Sequence, residues 1–510
     1  MPLLVVVLSL VSVLGLASAT ENGAADDAVA SATETCDQRK QTCVDNGDSV
    51  AASATNSIIQ GRVDVLAGVE LKVHPDSDVA KTGRGEWIIW PQGGCKQEDL
   101  TALAENMPND TRAVFHGRPE KGGLCFFVME GTQEGVWQKL TMHRWSSAPK
   151  VETDTPVHFD AQMAKQSDQQ SDDSEAGVPW GLDRIDDKRN WAYSREPSKA
   201  FKGMGESGGS GVDVYVIDTG IRTSHTEFGG RAVPELETFE GEQKKCHGQG
   251  CAVDDHGHGT FCAAVVGGHS FGVAPKATLH AVKVHSGEKG TAKAIHLAFD
   301  WLLSQDLPVA STIFSMSLSL DGKGDSGMIS VFLDTELRGV TVVVAAGNHA
   351  TSSSTWNFAP MKVAATDSND KPFSENARDF DMYAPGVNIK SAWVDGDSNS
   401  ATATLTGTSA AAPHVAGAAA RLLSEAKSKG LTFPHGKVLE TLINNANVVR
   451  VWKGGWKYPP LLYIGPDPNE TKYIGPGPKG DWMSAAQAGQ PEESTGNEGL
   501  PYASESDLEA

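Results

Sequence analysis

The sequence predicts an α/β protein: a mostly parallel central sheet with helices on both faces, preceded by a small βαββαβ domain. Three observations carry this. From Val178 to about Val451, short apolar strands alternate with helix-length segments, as in a parallel sheet joined by crossover helices. From Glu86 to Val157 a separate and shorter alternation runs its course. Between the two lies Gln166 to Glu175, a stretch without one apolar side chain, which reads as an exposed linker where proteases cut.

The chain divides in order. Residues 1–19 run apolar from Leu3 to Leu16 and end Ala17-Ser18-Ala19, the pattern of a secretory signal peptide with a small-x-small cleavage site. Residues 20–85 read as a flexible leader, rich at first in Ala, Ser, Thr, Asp and Asn. In 86–157, Glu86–Trp90 is a strand and Lys96–Met107 a helix with Leu100, Leu103 and Ala104 on one face. Thr111–Phe115 and Leu124–Met129 are strands, Thr132–His143 a helix and Lys150–Val157 a last strand. Residues 158–177 form the linker and hold the expected maturation site, between about Gln166 and Val178.

Residues 178–463 are the α/β domain. Strands are expected at Val212–Ile217, Thr278–Val284, Thr312–Leu318, Thr341–Ala346 and Met361–Ala365. Helices are expected at Phe261–Gly267, Ala292–Gln305, Ser326–Arg338 and Ala410–Lys429. Sites in such sheets form at the carboxyl ends of strands. Residues 464–510 turn to Pro, Gly, Glu and Ser and read as a disordered acidic tail.

Composition narrows the partners. With 43 Lys and Arg against 65 Asp and Glu, the net charge of −22 argues against nucleic acid or an anionic membrane. No segment after the first is long and apolar enough to span a bilayer. The sequons Asn109 to Thr111 and Asn469 to Thr471 fit a secreted glycoprotein. Seven cysteines leave at least one unpaired; proximity suggests Cys36–Cys43, Cys95–Cys125 and Cys246–Cys251, with Cys262 free.

Four polar stretches punctuate the α/β domain. Asp218-Thr219-Gly220 ends an apolar strand, which buries the carboxylate and demands a partner for it. Asp254-Asp255-His256-Gly257-His258-Gly259-Thr260 leads into a helix of small residues, with His258 flanked by glycines. Ala345-Ala346-Gly347-Asn348 ends a buried strand on an amide. Gly407-Thr408-Ser409 opens a long Ala-rich helix, where Ser409 fits either a helix cap or a nucleophile. A serine nucleophile needs a base near neutrality and a carboxylate to orient that base. It also needs donors for the oxyanion, a role open to the Ser409 N–H and the Asn348 amide. Asp218, His258 and Ser409 supply the set.

Quoted together, Asp218-Thr219-Gly220, Gly257-His258-Gly259-Thr260, Ala346-Gly347-Asn348 and Gly407-Thr408-Ser409-Ala410-Ala411-Ala412-Pro413-His414 resemble the signatures of the subtilisin-like serine proteases. Pro179-Trp180-Gly181-Leu182-Asp183-Arg184-Ile185 and the position of Cys262 are most similar to the proteinase K branch. The resemblance implies a secreted, monomeric serine endopeptidase that cuts protein or peptide substrates and removes its own inhibitory propeptide, residues 86–157. It implies that Ser317, Leu318 and Ser319 pair with substrate backbone and that Ala345, Ala346 and Gly347 line the pocket before the scissile bond, with an apolar or aromatic preference. No cofactor is implied for the chemistry; structural calcium is compatible with the family, with no ligand residue assigned.

The chain also departs from the family. Ser319 replaces a usual Gly, Phe261 replaces a common second His, and His256 is an extra imidazole, read as a solvated loop residue able to lower the His258 pKa. The segment Asn357–Val363 is several residues short. That last departure motivates an alternative, a catalytically silent binding protein on the same fold.

Overall fold

The computed structural model describes residues 63–66, 69–92, 94–143, 145, 147–158, 162–163, 178–186, 201, 206–287, 289–320, 326–348, 361–373, 380–434, 436–448 and 460–465. The expected signal peptide, the Cys36–Cys43 pair, the tail beyond 465 and most of Asn357–Val363 lie outside them.

The first described part is a six-stranded sheet. It comprises β1 (Val63–Leu66), β2 (Val69–Lys72), α1 (Asp78–Thr82), β3 (Arg84–Trp90), α2 (Gln97–Ala104), β4 (Arg112–His116), β5 (Phe127–Thr132), α3 (Gln133–Met142) and β6 (Lys150–Thr153). The strand order is β1-β2-β6-β3-β5-β4. From β3 onward this is the expected βαββαβ unit, with β3 antiparallel to both β5 and β6. One expectation needs correction. Residues 63–82 are not part of a flexible leader: β2 pairs in parallel with β6, about eighty residues on in sequence, and Ser77 caps α1 by accepting from the Ala80 N–H. Val69, Leu71 and Val73 alternate and bury one face against the sheet core.

Strand alternation gives β3 two apolar faces. Trp87 and Ile89 pack with Leu100, Leu103, Phe127 and Leu140 inside the small domain. Ile88 and Trp90 point the other way, into a cluster with Ile295, Ala298, Met328 and Phe332 of the larger domain. Full burial of side chains this size stabilises by roughly 1.5–3 kcal/mol each, so the apolar contact holds the two domains together. Cys95–Cys125 closes a disulfide within the small domain.

The chain then passes through two short strands, β7 (Val157–His158) and β8 (Gln162–Met163), and a helix, α4 (Trp180–Asp186). The larger domain follows as β9 (Asp213–Asp218), β10 (Ala232–Glu237), β11 (Lys244–Lys245), α5 (His258–Gly267), β12 (Thr278–Lys283), β13 (His285–Ser286) and β14 (Lys289–Gly290). Next come α6 (Ala292–Leu303), β15 (Thr312–Met316), β16 (Ser319–Leu320), α7 (Ser326–Leu337), β17 (Thr341–Ala345), β18 (Lys362–Thr366) and β19 (Met382–Pro385). The last elements are β20 (Ile389–Ala392), β21 (Thr402–Thr406), α8 (Thr408–Ser428), α9 (Lys437–Asn445), β22 (Asn447–Val448) and β23 (Pro460–Leu461).

Ten strands form one sheet in the order β11-β10-β12-β9-β15-β17-β18-β19-β23-β22. Pairing is parallel from β10 to β23 and antiparallel only at the two edges. Central strands are buried along their length, as β15 and β17 show, which is why they read as unbroken apolar runs. On one face α5 and α8 pack through Ala263, Val266, Ala412, Val415 and Ala416. On the other, α6 and α7 pack through Leu297, Phe299, Val331 and Phe332 and carry the small domain.

Candidate active site

Parallel strands deliver three polar groups to one edge. Asp218 is the last residue of β9, Ser317 follows β15, and Ala346-Gly347-Asn348 follow β17. Helix starts deliver two more: His258 opens α5, and Ser409 is the second residue of α8.

Asp218 and His258 meet. Nδ1 of His258 lies 2.7 Å from Oδ1 of Asp218, and both side chains are 1% exposed. Burial alone would raise the Asp218 carboxyl, but the imidazole beside it and the Thr219 N–H hold it below its ordinary value. For His258 burial opposes the charged form, and the Asp218 carboxylate outweighs it, so the imidazole is held well above its ordinary pKa. Since a carboxylate only accepts, Nδ1 keeps its proton in both charge states and Nε2 is the nitrogen that gains or loses one.

Pro413 shapes the Ser409 end. It stands in the second turn of α8. It has no N–H to give the carbonyl four residues back, which belongs to Ser409. Two side chains take that carbonyl instead: Ser317 Oγ donates at 3.1 Å and Cys262 Sγ at 3.5 Å. In return the Ser409 hydroxyl donates to the Ser317 carbonyl at 3.2 Å. Cys262 is the free cysteine among the described residues, and burial pushes its thiol up, as befits an inert packing group.

Asn348 is anchored from the helix. Its Oδ1 accepts the Thr408 N–H at 2.8 Å, while Thr408 Oγ1 accepts the Gly347 N–H at 3.1 Å. That fixes which end of the carboxamide is the donor. Gly407, at φ +152°, lets the backbone pass close by; a Cβ there would come 2.8 Å from Asn348 Nδ2.

The expected substrate-pairing segment is occupied. Ser319 pairs with His158 and Leu320 with Val157, antiparallel. Beyond, Thr406 pairs with Gln162 and Leu405 with Met163. The end of the expected small domain and the start of the expected linker therefore add one strand to β16 and another to β21, the strand that leads into the Ser409 helix. Ser317, Leu318, Ala345, Ala346 and Gly347 are all buried around this end of the sheet.

Several readings shift on seeing the fold. Phe261 is fully buried and serves packing. His256 is not a solvated loop residue: it is half-buried, edge-on to Trp393 at 5.9 Å, and burial lowers its own pKa. Cys246–Cys251 forms as expected. The Asp254 carboxylate accepts from Thr219 Oγ1, His256 N, Gly257 N, Thr260 N and Thr260 Oγ1. It joins the turn after Asp218 to the start of the His258 helix. An acidic residue four before the histidine, at a helix N-terminus, was the available signal.

Among the described residues, Asp218, His258 and Cys262 could meet around a metal. A nitrogen and a sulfur ligand suit a soft transition metal and not calcium, which takes oxygen ligands. Among the described residues no helix is long and apolar enough to cross a membrane.

Known proteins are similar to this chain. The signature of Peptidase_S8, the Subtilase family, matches residues 209–480, just over half the chain. Subtilisin-like protease 2 of Pseudogymnoascus destructans is 38% identical over 257 residues, 49% of this chain and 60% of that protein. Proteinase T of Parengyodontium album is 37% identical over 257 residues, 48% of this chain and 80% of its own. In fold, the crystal structure of fervidolysin from Fervidobacterium pennivorans, a keratinolytic enzyme related to subtilisin, is similar over 76% of this chain and 62% of its own, with a TM-score of 0.56 at 18% identity. The chain belongs to the Subtilase family of serine-type endopeptidases.

Proposed function

We propose that this chain is a secreted endopeptidase made as a self-processed zymogen, with Asp218, His258 and Ser409 as its triad. The observation that carries the reading is the buried 2.7 Å contact between His258 and Asp218, beside the pairing of the chain's own residues 157–158 with β16 and 162–163 with β21. In the reaction the Ser409 hydroxyl turns from the Ser317 carbonyl to His258 Nε2. It gives up its proton there and attacks the peptide carbonyl. Asp218 holds the imidazole by Nδ1 and stabilises the imidazolium. The tetrahedral oxyanion takes the Ser409 N–H, one of the first-turn donors that a helix leaves without an internal partner, and the Asn348 amide. His258 then protonates the leaving amine, and water repeats the cycle on the acyl-enzyme. No cofactor enters these steps.

Two pairings favour an early cut. His158 pairs with Ser319 and Gln162 with Thr406, which supports a cut after His158 and before Gln162, upstream of the 166–178 range expected from linker composition. The small domain, residues 63–153, is the inhibitory propeptide in this reading. The apolar or aromatic preference rests on Ala345, Ala346 and Gly347. The silent-scaffold alternative rested on Asn357–Val363; the intact His258–Asp218 contact supports an enzyme instead.

Expression of the full chain and of Ser409→Ala, with intact mass and N-terminal sequencing of each, tests this. The expected result is a processed wild type and a variant that keeps residues 63–158 attached. If both stay uncut beyond the signal peptide, self-processing is refuted.

A further inference from the structure

The segment in the cleft is gripped from two directions. On one side Val157 and His158 pair with β16. On the other, Pro156 bridges Thr291 and the Thr155 carbonyl accepts the Ala292 N–H at 2.8 Å. One contact comes from a side chain: Nε2 of His285 lies 3.1 Å from the Val157 carbonyl. A carbonyl only accepts, so this nitrogen carries the proton. The imidazole is 1% exposed beneath the β13–β14 hairpin. It faces Gly290, its register partner, where a Cβ would stand 2.0 Å from the ring's Cδ2. Gly290 thus leaves the space that the ring fills. Burial pushes His285 down to about 4, so the ring is neutral at working pH and holds a single N–H. The Val157 side chain is itself buried in the apolar cluster that contains Val284, Ala292 and Leu318.

We propose that His285 is a specificity-determining residue: its Nε2–H donates to the main-chain carbonyl of whichever substrate residue takes the place of Val157, and ties turnover to peptide length upstream of the cut. The inference rests on the cleft being a peptide channel, as in the proposed function. A peptide too short to reach leaves a buried donor without an acceptor, and a buried unmet donor is costly. Backbone pairing along β16 serves any extended peptide; the imidazole adds a demand at one carbonyl.

The test uses mature enzyme from full-chain expression and three peptides cut at the same bond. One ends short of the Val157 position. Two extend past it, with the carbonyl at that position intact or replaced by a methylene. Wild type should favour the intact long peptide over its methylene analogue by about tenfold in kcat/KM. His285→Leu should discriminate less than about twofold, His285→Gln should recover most of the preference, and the short peptide should change less than about twofold in either variant. Gly290→Ala, which displaces the ring, should mimic His285→Leu by an independent route. The assignment is overturned if wild type is indifferent to the methylene, or if both His285→Leu and Gly290→Ala remain as sensitive as wild type. A wild type that cleaves none of the peptides refutes the protease reading and this inference with it.

Discussion

Replacing Asp254 by Asn keeps size and removes one acceptor. In the native chain Oδ1 accepts three hydrogen bonds, at 2.8 Å from Thr219 Oγ1, 3.0 Å from His256 N and 2.8 Å from Gly257 N. Oδ2 accepts two, at 2.8 Å from Thr260 N and 2.6 Å from Thr260 Oγ1. The residue is 3% exposed, so water offers little replacement. An Asn that keeps its oxygen in the Oδ1 position loses the other two bonds and sets its own NH₂ against the Thr260 N–H. Hydrogen bonds to a charged acceptor are each worth about 1.5–3 kcal/mol, and a stranded buried donor costs about 1–3 kcal/mol. Allowing that the Thr260 hydroxyl can turn and accept, the loss should be about 3–5 kcal/mol. Loss of negative charge at the α5 N-terminus acts in the same direction. The assay is chemical denaturation of Asp254→Asn in the Ser409→Ala background, which removes self-digestion, against Ser409→Ala alone. A loss under about 1 kcal/mol would show that these five bonds do not carry the junction between the Asp218 turn and the His258 helix. In active enzyme the same change should lower kcat more than it raises KM, because it displaces His258, the proposed base, and spares β16, the proposed substrate-pairing strand.

Three further outcomes follow from other sites. Gly407→Ala should cut kcat at least about tenfold with a small change in KM, since a Cβ 2.8 Å from Asn348 Nδ2 must push the proposed oxyanion donor aside; steady-state kinetics on a long peptide would check it, and unchanged kcat would remove Asn348 from the proposed oxyanion site. Glu152→Ala should speed loss of the small domain, the proposed propeptide, after cleavage, because its buried carboxylate accepts both Trp90 Nε1 and the Gly327 N–H at the start of α7; size-exclusion chromatography of freshly processed enzyme measures it, with unaltered co-elution as the contrary result. His280 is pulled down by burial but held above its ordinary pKa by Asp213 at 3.2 Å and Glu235 at 3.0 Å. Its stabilising contribution is therefore full below the unfolded value near 6.5 and is lost as pH rises through the folded value; His280→Gln should flatten that part of the stability–pH curve, and an unchanged slope would contradict the ion-pair account.

What was legible beforehand was whatever depends on neighbours in sequence. Strand periodicity marked β9, β12, β15 and β17 to within a residue or two, because a strand buried on both faces must be apolar throughout. The Gly-flanked His258 and the Thr408-Ser409 helix start stood out because such turns need those residues locally. The sequence by itself thus determined the order of strands and helices, the family motifs and the Cys246–Cys251 pair, five residues apart. Only the tertiary structure decided who meets whom. Asp218 and His258 are forty residues apart, and nothing local brings Nδ1 to Oδ1. Residues 63–73 gain their place from β6, remote in the chain, so their own composition read as leader. His285 reaches the Val157 carbonyl across 128 positions, and Ser317 takes the carbonyl of Ser409 across 92. Hydrogen bonds and buried contacts of that separation depend on how the parallel sheet is ordered, and strand order is a property of the whole core, not of any segment in it.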